Sequence, residues 1–366
     1  MENLVSPDPK FWAGKRVLVT GHTGFKGAWL ALWLSRLNAK VFGISLPAPT
    51  EPSLFADAGL AKLVDTTYCD IRDGAAVRAA FERIQPEIVL HLAAQSLVLP
   101  SYREPVETFA TNVMGTVHVL DAVNATASVR SVVIVTTDKC YENREWLWAY
   151  REDDALGGYD PYSSSKACAE LVTSAWRRSF CGPKATHQVG LASARAGNVF
   201  GGGDWAVNRL IPDCMRAIIA DLPIGIRNPS ATRPWQHVLN PLAGYMALAE
   251  RLWDEPAAYG EAWNFGPRED DIKPVSAIVA RITKIWGDGA RWELIPSDAP
   301  HEAGLLKVDA SKARTRLGWQ PMLHLEAGLD WTCDWYKRYA AGENVARMTE
   351  HQITDFERLL LDASRS

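Results

Sequence analysis

Paired cysteines are the first thing this chain of 366 residues does without. Its six cysteines, Cys69, Cys140, Cys168, Cys181, Cys214 and Cys333, are scattered and form no Cys-x-x-Cys pair. That spacing argues against a disulfide or zinc framework and for reduced structural thiols in a cytoplasmic protein without a metal site. Long apolar runs are missing too, so no segment reads as a membrane span. The stretch Met1–Pro9 has no basic region leading into an apolar one, so no secretory signal is expected. Nor is there a basic excess. Net charge is −4 and the pI about 6.1, which points to neither nucleic acid nor a membrane surface as a partner. Internal repeats, low-complexity tracts and clean linkers are absent.

What is there is ordinary globular composition, 47% hydrophobic and 22% charged, with room for one large domain or two smaller ones. Fifteen tryptophans are spread along the chain and are expected mainly in core and interfaces. Lys15–Thr20, Lys40–Ser45, an apolar segment before Asp70, Pro86–Gln95, Ser131–Thr137 and Gln188–Ala194 read as six buried strands. Helices are expected from Ala28 to about Leu37 and from Pro105 to about Asn124. After Trp205 the alternation breaks into loops and short strands. Helices follow near Pro241–Leu252 and Pro274–Trp286, and one from Asp309 ends at Leu317-Gly318. This pattern predicts an α/β fold: a Rossmann-type doubly wound parallel sheet with a smaller mixed α/β C-terminal lobe packed tightly onto it.

The turn Gly21-His22-Thr23-Gly24-Phe25-Lys26-Gly27 joins the first strand to the first helix. Glycines there permit a tight bend, close backbone approach to a pyrophosphate and close packing of helix on strand. The free N–H groups of the helix start then face an anion, and His22 and Lys26 lie in the same turn. The second strand ends in Ser45-Leu46-Pro47, with no acid before Glu51 to bind a ribose and no arginine for a 2′-phosphate. NAD is favoured over NADP, with a poor ribose contact and weaker retention than an acid would give. Asp70-Ile71 suits the adenine edge, although a helix N-cap region explains Asp70 equally well. Leu92, Ala93 and Ala94 close the fourth strand with small side chains that let a ligand lie near. Thr137-Asp138-Lys139 follows the fifth strand, on the side of an open parallel sheet where ligands bind.

Tyr162 and Lys166 stand four apart just after Pro161, which favours a first helical turn. Residues so spaced share a helix face. An ammonium near a phenol favours phenolate and makes Tyr162 a candidate base. Alone, the pair is more often just two neighbours on an exposed surface helix.

Five marks in order change that: Gly21-x-x-Gly24-x-x-Gly27, His91-Leu-Ala-Ala-Gln95, Asn112-x-x-Gly115-Thr116, Thr137 with Tyr162-x-x-x-Lys166, and Arg195-x-x-Asn198. From about Trp12 to past Trp331 the chain resembles the nucleotide-sugar branch of the extended short-chain dehydrogenases/reductases. Thr137-Asp138-Lys139-Cys140-Tyr141, Gly201-Gly-Gly-Asp204-Trp205 and Arg233-Pro-Trp-Gln-His-Val238 are similar to the 4,6-dehydratases within it that act on CDP-glucose. Related dehydratases carry Asp-Glu where this chain has Asp138-Lys139, and epimerases commonly lack the acid.

The resemblance implies residues 1–200 as the NAD-binding domain and 201–366 as a nucleotide-sugar lobe, with roughly 231–250 returning to the first. It implies NAD as a retained cofactor in an internal redox dehydration, held by Gly21 to Gly27, Asp70, Ile71, Leu92, Ala93, Ala94, Asn112, Tyr162 and Lys166. Tyr162 would be the base for the C4 hydroxyl, Thr137 would hold the C4 oxygen, and Asp138, raised in pKa by burial, would protonate the departing C6 hydroxyl. Lys139 would take the C5 proton or, if charged, stabilise the enolate. Gln95, Asn198, Arg209, Arg233 and His301 would bind substrate. A homodimer built on the Pro105–Asn124 and Tyr162–Phe180 helices is also implied, and a 4-keto-6-deoxy product that feeds dideoxyhexose synthesis for surface polysaccharide. Another nucleotide-sugar dehydratase, an epimerase, or a non-catalytic dinucleotide sensor are the readings that compete.

Overall fold

The computed structural model describes residues 5–182, 188–287, 289–296 and 304–365. All six expected strands form: β1 (Arg16–Thr20), β2 (Lys40–Ser45), β3 (Asp65–Tyr68), β4 (Ile88–His91), β5 (Ser131–Val135) and β6 (Gly190–Arg195). A seventh, Ala262–Asn264, extends the sheet beside β6. All neighbours are parallel, in the order Ala262–Asn264, β6, β5, β4, β1, β2, β3. The order therefore reverses between β1 and β4. At such a switch point the loops after the strands part and leave a crevice for a ligand. The glycine turn after β1 and the Leu92–Gln95 loop after β4 stand on its two sides.

β4 and β5 are buried along their whole length, which explains why they read as continuous apolar runs rather than alternating ones. Phe25–Arg36 covers one face, and its Trp29, Leu30, Trp33 and Leu34 are fully buried. Gly74–Ile84 and Gly115–Ala125 cover the other face, with Phe81, Val119 and Leu120 inside. The predicted Pro105–Asn124 helix is present but not regular. Pro105–Phe109 and Gly115–Ala125 are joined by a wide π turn at Ala110–Met114. Leu239–Asp254 is buried nearly all round, and Ser131 Oγ donates to Ala249 O at 2.8 Å.

Beyond Phe200 the chain forms short strand pairs: Val199–Phe200 with Gln236–His237, Thr232–Pro234 with Ile272–Pro274, and Ile224–Ile226 with Trp292–Leu294. Leu210–Ile219 and Val275–Trp286 pack beside them. Two long helices, Leu325–Ala340 and Val345–Arg365, complete the described chain. The second returns to the sheet domain, where Trp33 Nε1 donates to Glu357 Oε1 at 2.8 Å and Trp33 meets Phe356 edge to face. Trp12, Trp29, Trp33, Trp263, Trp319 and Trp335 are fully buried, as their spread suggested, whereas Trp148 is 71% exposed.

Candidate active site

The loops at the carboxyl ends of the strands enclose a cavity of about 520 Å³, a size typical of sites for small ligands. Thr137, Asp138, Lys139 and Tyr162 line it together, with Phe25 and Lys26 from the glycine turn and Asn198, Arg209 and Arg233 from the far side. A smaller neighbour of about 260 Å³ shares Lys139 and Arg233 with it.

The Tyr162 helix starts where its sequence dictates. Asp160 caps it, its carboxylate accepting from Ser163 N at 2.9 Å and from Ser163 Oγ at 2.6 Å, and Pro161 fills the first position. Tyr162 N donates to Ser101 Oγ at 3.1 Å. Thr137 begins a short 3-10 turn and accepts from Lys139 N at 3.3 Å, while its hydroxyl donates to Asp138 Oδ1 at 2.9 Å.

Asp138 is fully buried. Burial raises its carboxyl above the ordinary value, against the pull of Lys139, the Thr137 hydrogen bond and Arg233. That is the direction an acid for a leaving hydroxyl requires. Its Oδ2 has no hydrogen-bond partner among the described residues. Gly197 makes the room for it: a Cβ there would lie 1.9 Å from Asp138 Cγ. The sequence reading missed Gly197, although it stands inside the Arg195-x-x-Asn198 mark.

Tyr162 departs from expectation. Burial pushes its phenol up to about 12, and the opposing influences are the Thr137 hydrogen bond and Arg209. Lys166 is buried on the same helix, but its ammonium donates to Val135 O at 3.2 Å. Lys166 is itself lowered to about 8, by burial against the attraction of Glu170. Lys26 is brought down to about 7 by burial and by Lys166 and Arg209. It turns into the cavity and lies 5.9 Å from the Tyr245 ring centre.

The glycine turn forms the cradle that a dinucleotide needs. A Cβ on Gly21, whose φ is +73°, would meet Ala93 N at 2.7 Å, and one on Gly27 would meet Gly21 O at 2.1 Å. Gly24 caps the Phe25–Arg36 helix without any side-chain bond, which leaves the first N–H groups for an anion. Thr23 Oγ1 lies 2.7 Å from Ser45 Oγ and donates to Leu46 O at 2.9 Å, at the end of β2 where an acid is missing. The N–H groups of Leu92 and Ala93 are held by Thr20 Oγ1 at 3.1 Å each, and Ala94 follows them into the crevice loop. These residues fit an NAD-sized ligand.

Several expected contacts are structural instead. The His22 ring is buried over Gly43, 2.9 Å from Thr66 Oγ1 and held neutral with a pKa of about 4 by burial, so only its backbone can face an anion. Asn112 binds Gln95 N and O and Ser165 Oγ, each at 2.9 Å, and ties the crevice loop to the Tyr162 helix through the π turn. The Gln95 amide is consumed by Leu97 and Thr108, so it is not free for substrate. Asp70 is bound side-on by Arg72, whose hydrogen bonds hold its carboxyl below the usual range. Ile71 is wedged against Gly115, and its carbonyl lies 2.9 Å from His118 Nδ1.

On the far side, Asn198 has φ +48° and a buried Oδ1 without a partner among the described residues. Arg209 spans from Asp204, at 3.0 Å, to Ser96 Oγ, at 2.9 Å. Arg233 is buried and donates to Thr232 O and Gly304 O. His301 lies outside the described residues. The apolar part of the cavity, from Leu210, Ile224, Ile226, Val275 and Ile295, was not foreseen. It is built from the short pairs and two helix starts after Trp205, where periodicity is weakest.

Over residues 18–332 the chain matches the family described as GDP-mannose 4,6 dehydratase. It is 52% identical over 351 residues to the CDP-glucose 4,6-dehydratase of Salmonella typhimurium, covering 95% of this chain and 98% of that protein. Among solved structures, a UDP-glucose 4-epimerase from Thermotoga maritima with UDP-glucose superposes with a TM-score of 0.76 at 20% identity, covering 88% of this chain and 99% of the other. A dTDP-glucose 4,6-dehydratase from Bacillus anthracis in complex with NAD gives 0.72 at 22% identity, covering 88% and 96%. At those identities the two structures speak for the fold alone.

Proposed function

The chain belongs to the GDP-mannose 4,6-dehydratase family, and from there we propose that it is an NAD-dependent hydro-lyase that converts CDP-glucose to CDP-4-keto-6-deoxyglucose. The observation that carries the chemistry is the convergence of Thr137, Asp138, Lys139 and Tyr162 on one cavity beside the glycine turn. The choice of nucleotide is supported by the 52% identity to the Salmonella enzyme.

Bound NAD, held by the Gly21–Gly27 turn, Leu92–Ala94 and Lys166, supplies a hydride acceptor and later a donor, so no reducing equivalent leaves. Tyr162 takes the C4 hydroxyl proton at its phenolic oxygen, and the Thr137 hydroxyl holds the C4 oxygen. The ketone at C4 acidifies the C5 proton, which the Lys139 amine removes. Asp138 gives its proton to the C6 hydroxyl as it departs as water. Asn198, Arg209 and Arg233 orient the hexose and diphosphate, and His301 is assigned to the diphosphate by resemblance.

We also place the enzyme in the cytoplasm as a homodimer. Its six cysteines are unpaired, and among the described residues no helix is long and apolar enough to cross a membrane. Val106, Met114, Leu171 and Phe180 are exposed on the two helices expected to meet a second copy, Val106 at 82%. Light scattering tests this; a monomer at micromolar concentration would overturn it.

Incubation with NAD and, separately, CDP-, dTDP-, GDP- and UDP-hexoses tests the activity. Loss of one water from CDP-glucose alone, without net reduction of NAD, is the expected result. Turnover of another nucleotide sugar would keep the chemistry and overturn the nucleotide. No water loss from any of them would overturn both.

A further inference from the structure

Behind the cavity lies a buried ion pair that the reaction as described does not use. Glu170 stands one turn after Lys166 on the Tyr162 helix. Its carboxylate meets the Arg195 guanidinium at 2.8 Å, with both side chains no more than 4% exposed. Thr136 Oγ1 donates to Glu170 Oε1 at 2.5 Å, and Ser193 Oγ donates to Oε2 at 2.7 Å. Arg195 also donates to Tyr141 OH at 2.8 Å and to Glu152 O at 3.0 Å. Tyr141 in turn donates to Asn264 Oδ1 at 2.7 Å. One carboxylate thus joins the end of β5, β6 and the Tyr162 helix, and through Arg195 the loop after β5 and the seventh strand.

The place of this knot is specific. Thr136 lies between Val135, whose carbonyl accepts from Lys166 Nζ, and Thr137, which faces Tyr162. We propose that Glu170, braced by Arg195, is a positioning residue for the dehydration: it keeps Lys166 charged and seated on the end of β5, and it locks the Thr136–Thr137 peptide to the helix carrying Tyr162. A buried ion pair is rarely kept for stability alone, because an apolar pair of like volume is often as stable. Here Glu170 lies one helical turn from Lys166, and its charge favours that buried ammonium through space.

The groups around the pair support that reading. Glu170 is faced by Thr136 from β5, by Ser193 and Arg195 from β6, by Cys140 from the loop, and by Lys166 and Arg177 from its own helix. Burial pushes its carboxyl up, but Arg195 and the three hydrogen bonds outweigh this and hold it below the usual range. Lys166 is faced by Glu170 and Cys140, by Lys26 from the first helix and by His91 from β4. Among these, Glu170 is the strongest influence that opposes desolvation of the ammonium. A charge one helical turn away in a low-dielectric site shifts an ionisation by about tenfold or more.

The inference rests on the dehydratase reading for its consequence, but its test does not. Lysine labelled with carbon-13 at Cε is titrated by NMR, with the Lys166 signal identified by its loss in Lys166→Met. In Glu170→Gln the midpoint should fall from about 8 toward neutrality, and kcat/KM at neutral pH should drop about tenfold with KM for CDP-glucose little changed. Glu170→Gln leaves Arg195 unpaired and can fail to fold. The double change Glu170→Gln with Arg195→Met removes both charges and should restore the melting temperature while leaving the Lys166 midpoint low. A folded double variant with the wild-type Lys166 midpoint would reduce the pair to a structural brace and overturn the proposal. Wild-type protein that dehydrates no nucleotide sugar would overturn the function instead, with the Lys166 titration still deciding the role of Glu170.

Discussion

Replacing Gly197 by alanine adds one methyl group and should separate the two halves of the reaction. The backbone permits it, since Gly197 is not among the residues with positive φ. The obstacle is Asp138. A Cβ at 197 would lie 1.9 Å from its Cγ and 2.0 Å from each carboxylate oxygen, whereas non-bonded carbon contacts settle near 3.5 Å or more. The carboxyl must therefore retreat by about 1.5 Å, within a site where it is fully buried and bound by Thr137. A misplacement of about 1 Å at a reacting group can cost about a hundredfold in rate. Elimination of the C6 hydroxyl should slow by roughly that factor, while oxidation at C4, which relies on Tyr162 and Thr137, changes by less than about fivefold. Rapid mixing of enzyme, NAD and CDP-glucose, followed by the absorbance of the reduced cofactor, reads both steps. In Gly197→Ala the reduced form should accumulate and decay slowly, with loss of water tracking the decay. Elimination at the wild-type rate, or an equal fall in both steps, would refute the assignment of Asp138 as the acid wedged against Gly197.

Lys139→Met should abolish exchange of the C5 proton with solvent while C4 oxidation persists; exchange at a near-normal rate, read by mass, would remove Lys139 as the base. Asp138→Asn should raise the melting temperature at neutral pH by about 1–3 °C. Burial raises the Asp138 carboxyl, so its contribution to stability is complete below the unfolded value and lost as pH rises through the folded one. The gain of the amide should accordingly fade on acidification, and a gain that persists in acid would contradict this. Glu250 is raised to about 7 by burial, against hydrogen bonds from Asp8 N and Trp12 Nε1. Stability from this group is likewise present in acid and lost between the ordinary glutamate pKa, about 4.3, and 7. Glu250→Gln should flatten the fall of melting temperature with pH over that window, as scanning calorimetry would record.

The inner strands β1, β4, β5 and β6 were legible because they are buried almost throughout and so appear as short, largely apolar runs, whereas β3, at the sheet edge, is polar and largely exposed. The edge strand Ala262–Asn264 was not legible. Three residues carry no period, and its partner β6 lies far back in the sequence. Leu325–Ala340 and Val345–Arg365 were also passed over. The apolar face of the second docks on a tertiary surface that no local pattern announces, as where its Phe356 meets Trp33 edge to face. At the site, motif order brought Thr137, Asp138, Lys139 and Tyr162 together correctly, since position beyond a strand end is a topological property. Side-chain direction was not legible. Gln95, Asn112 and His22 sit in the predicted place but turn to Thr108, Ser165 and Thr66. Buried amides and imidazoles must find partners, and the nearest were in the protein.

The same physics explains why Tyr162 confounded a reading from spacing. Burial drives four titratable groups in or beside the cavity toward neutrality: Asp138 up, Tyr162 up to about 12, Lys166 down to about 8 and Lys26 down to about 7. A reaction that needs a carboxylic acid and a phenolate is helped at one end and opposed at the other. At Asp138 burial already pushes in the direction a donor needs. Tyr162 requires positive charge nearby; in this structure Arg209 is a cation that favours its phenolate, while the Lys166 ammonium donates to Val135 O and is favoured by Glu170. The remaining charge must come with the ligands. An oxidised nicotinamide ring is positive, and a phenol beside it in a dry site is favoured to ionise only while that charge is present. On the proposed roles, base activity at Tyr162 would be tied to the oxidised cofactor and acid activity at Asp138 to the fold, which would put proton removal at C4 before proton donation at C6.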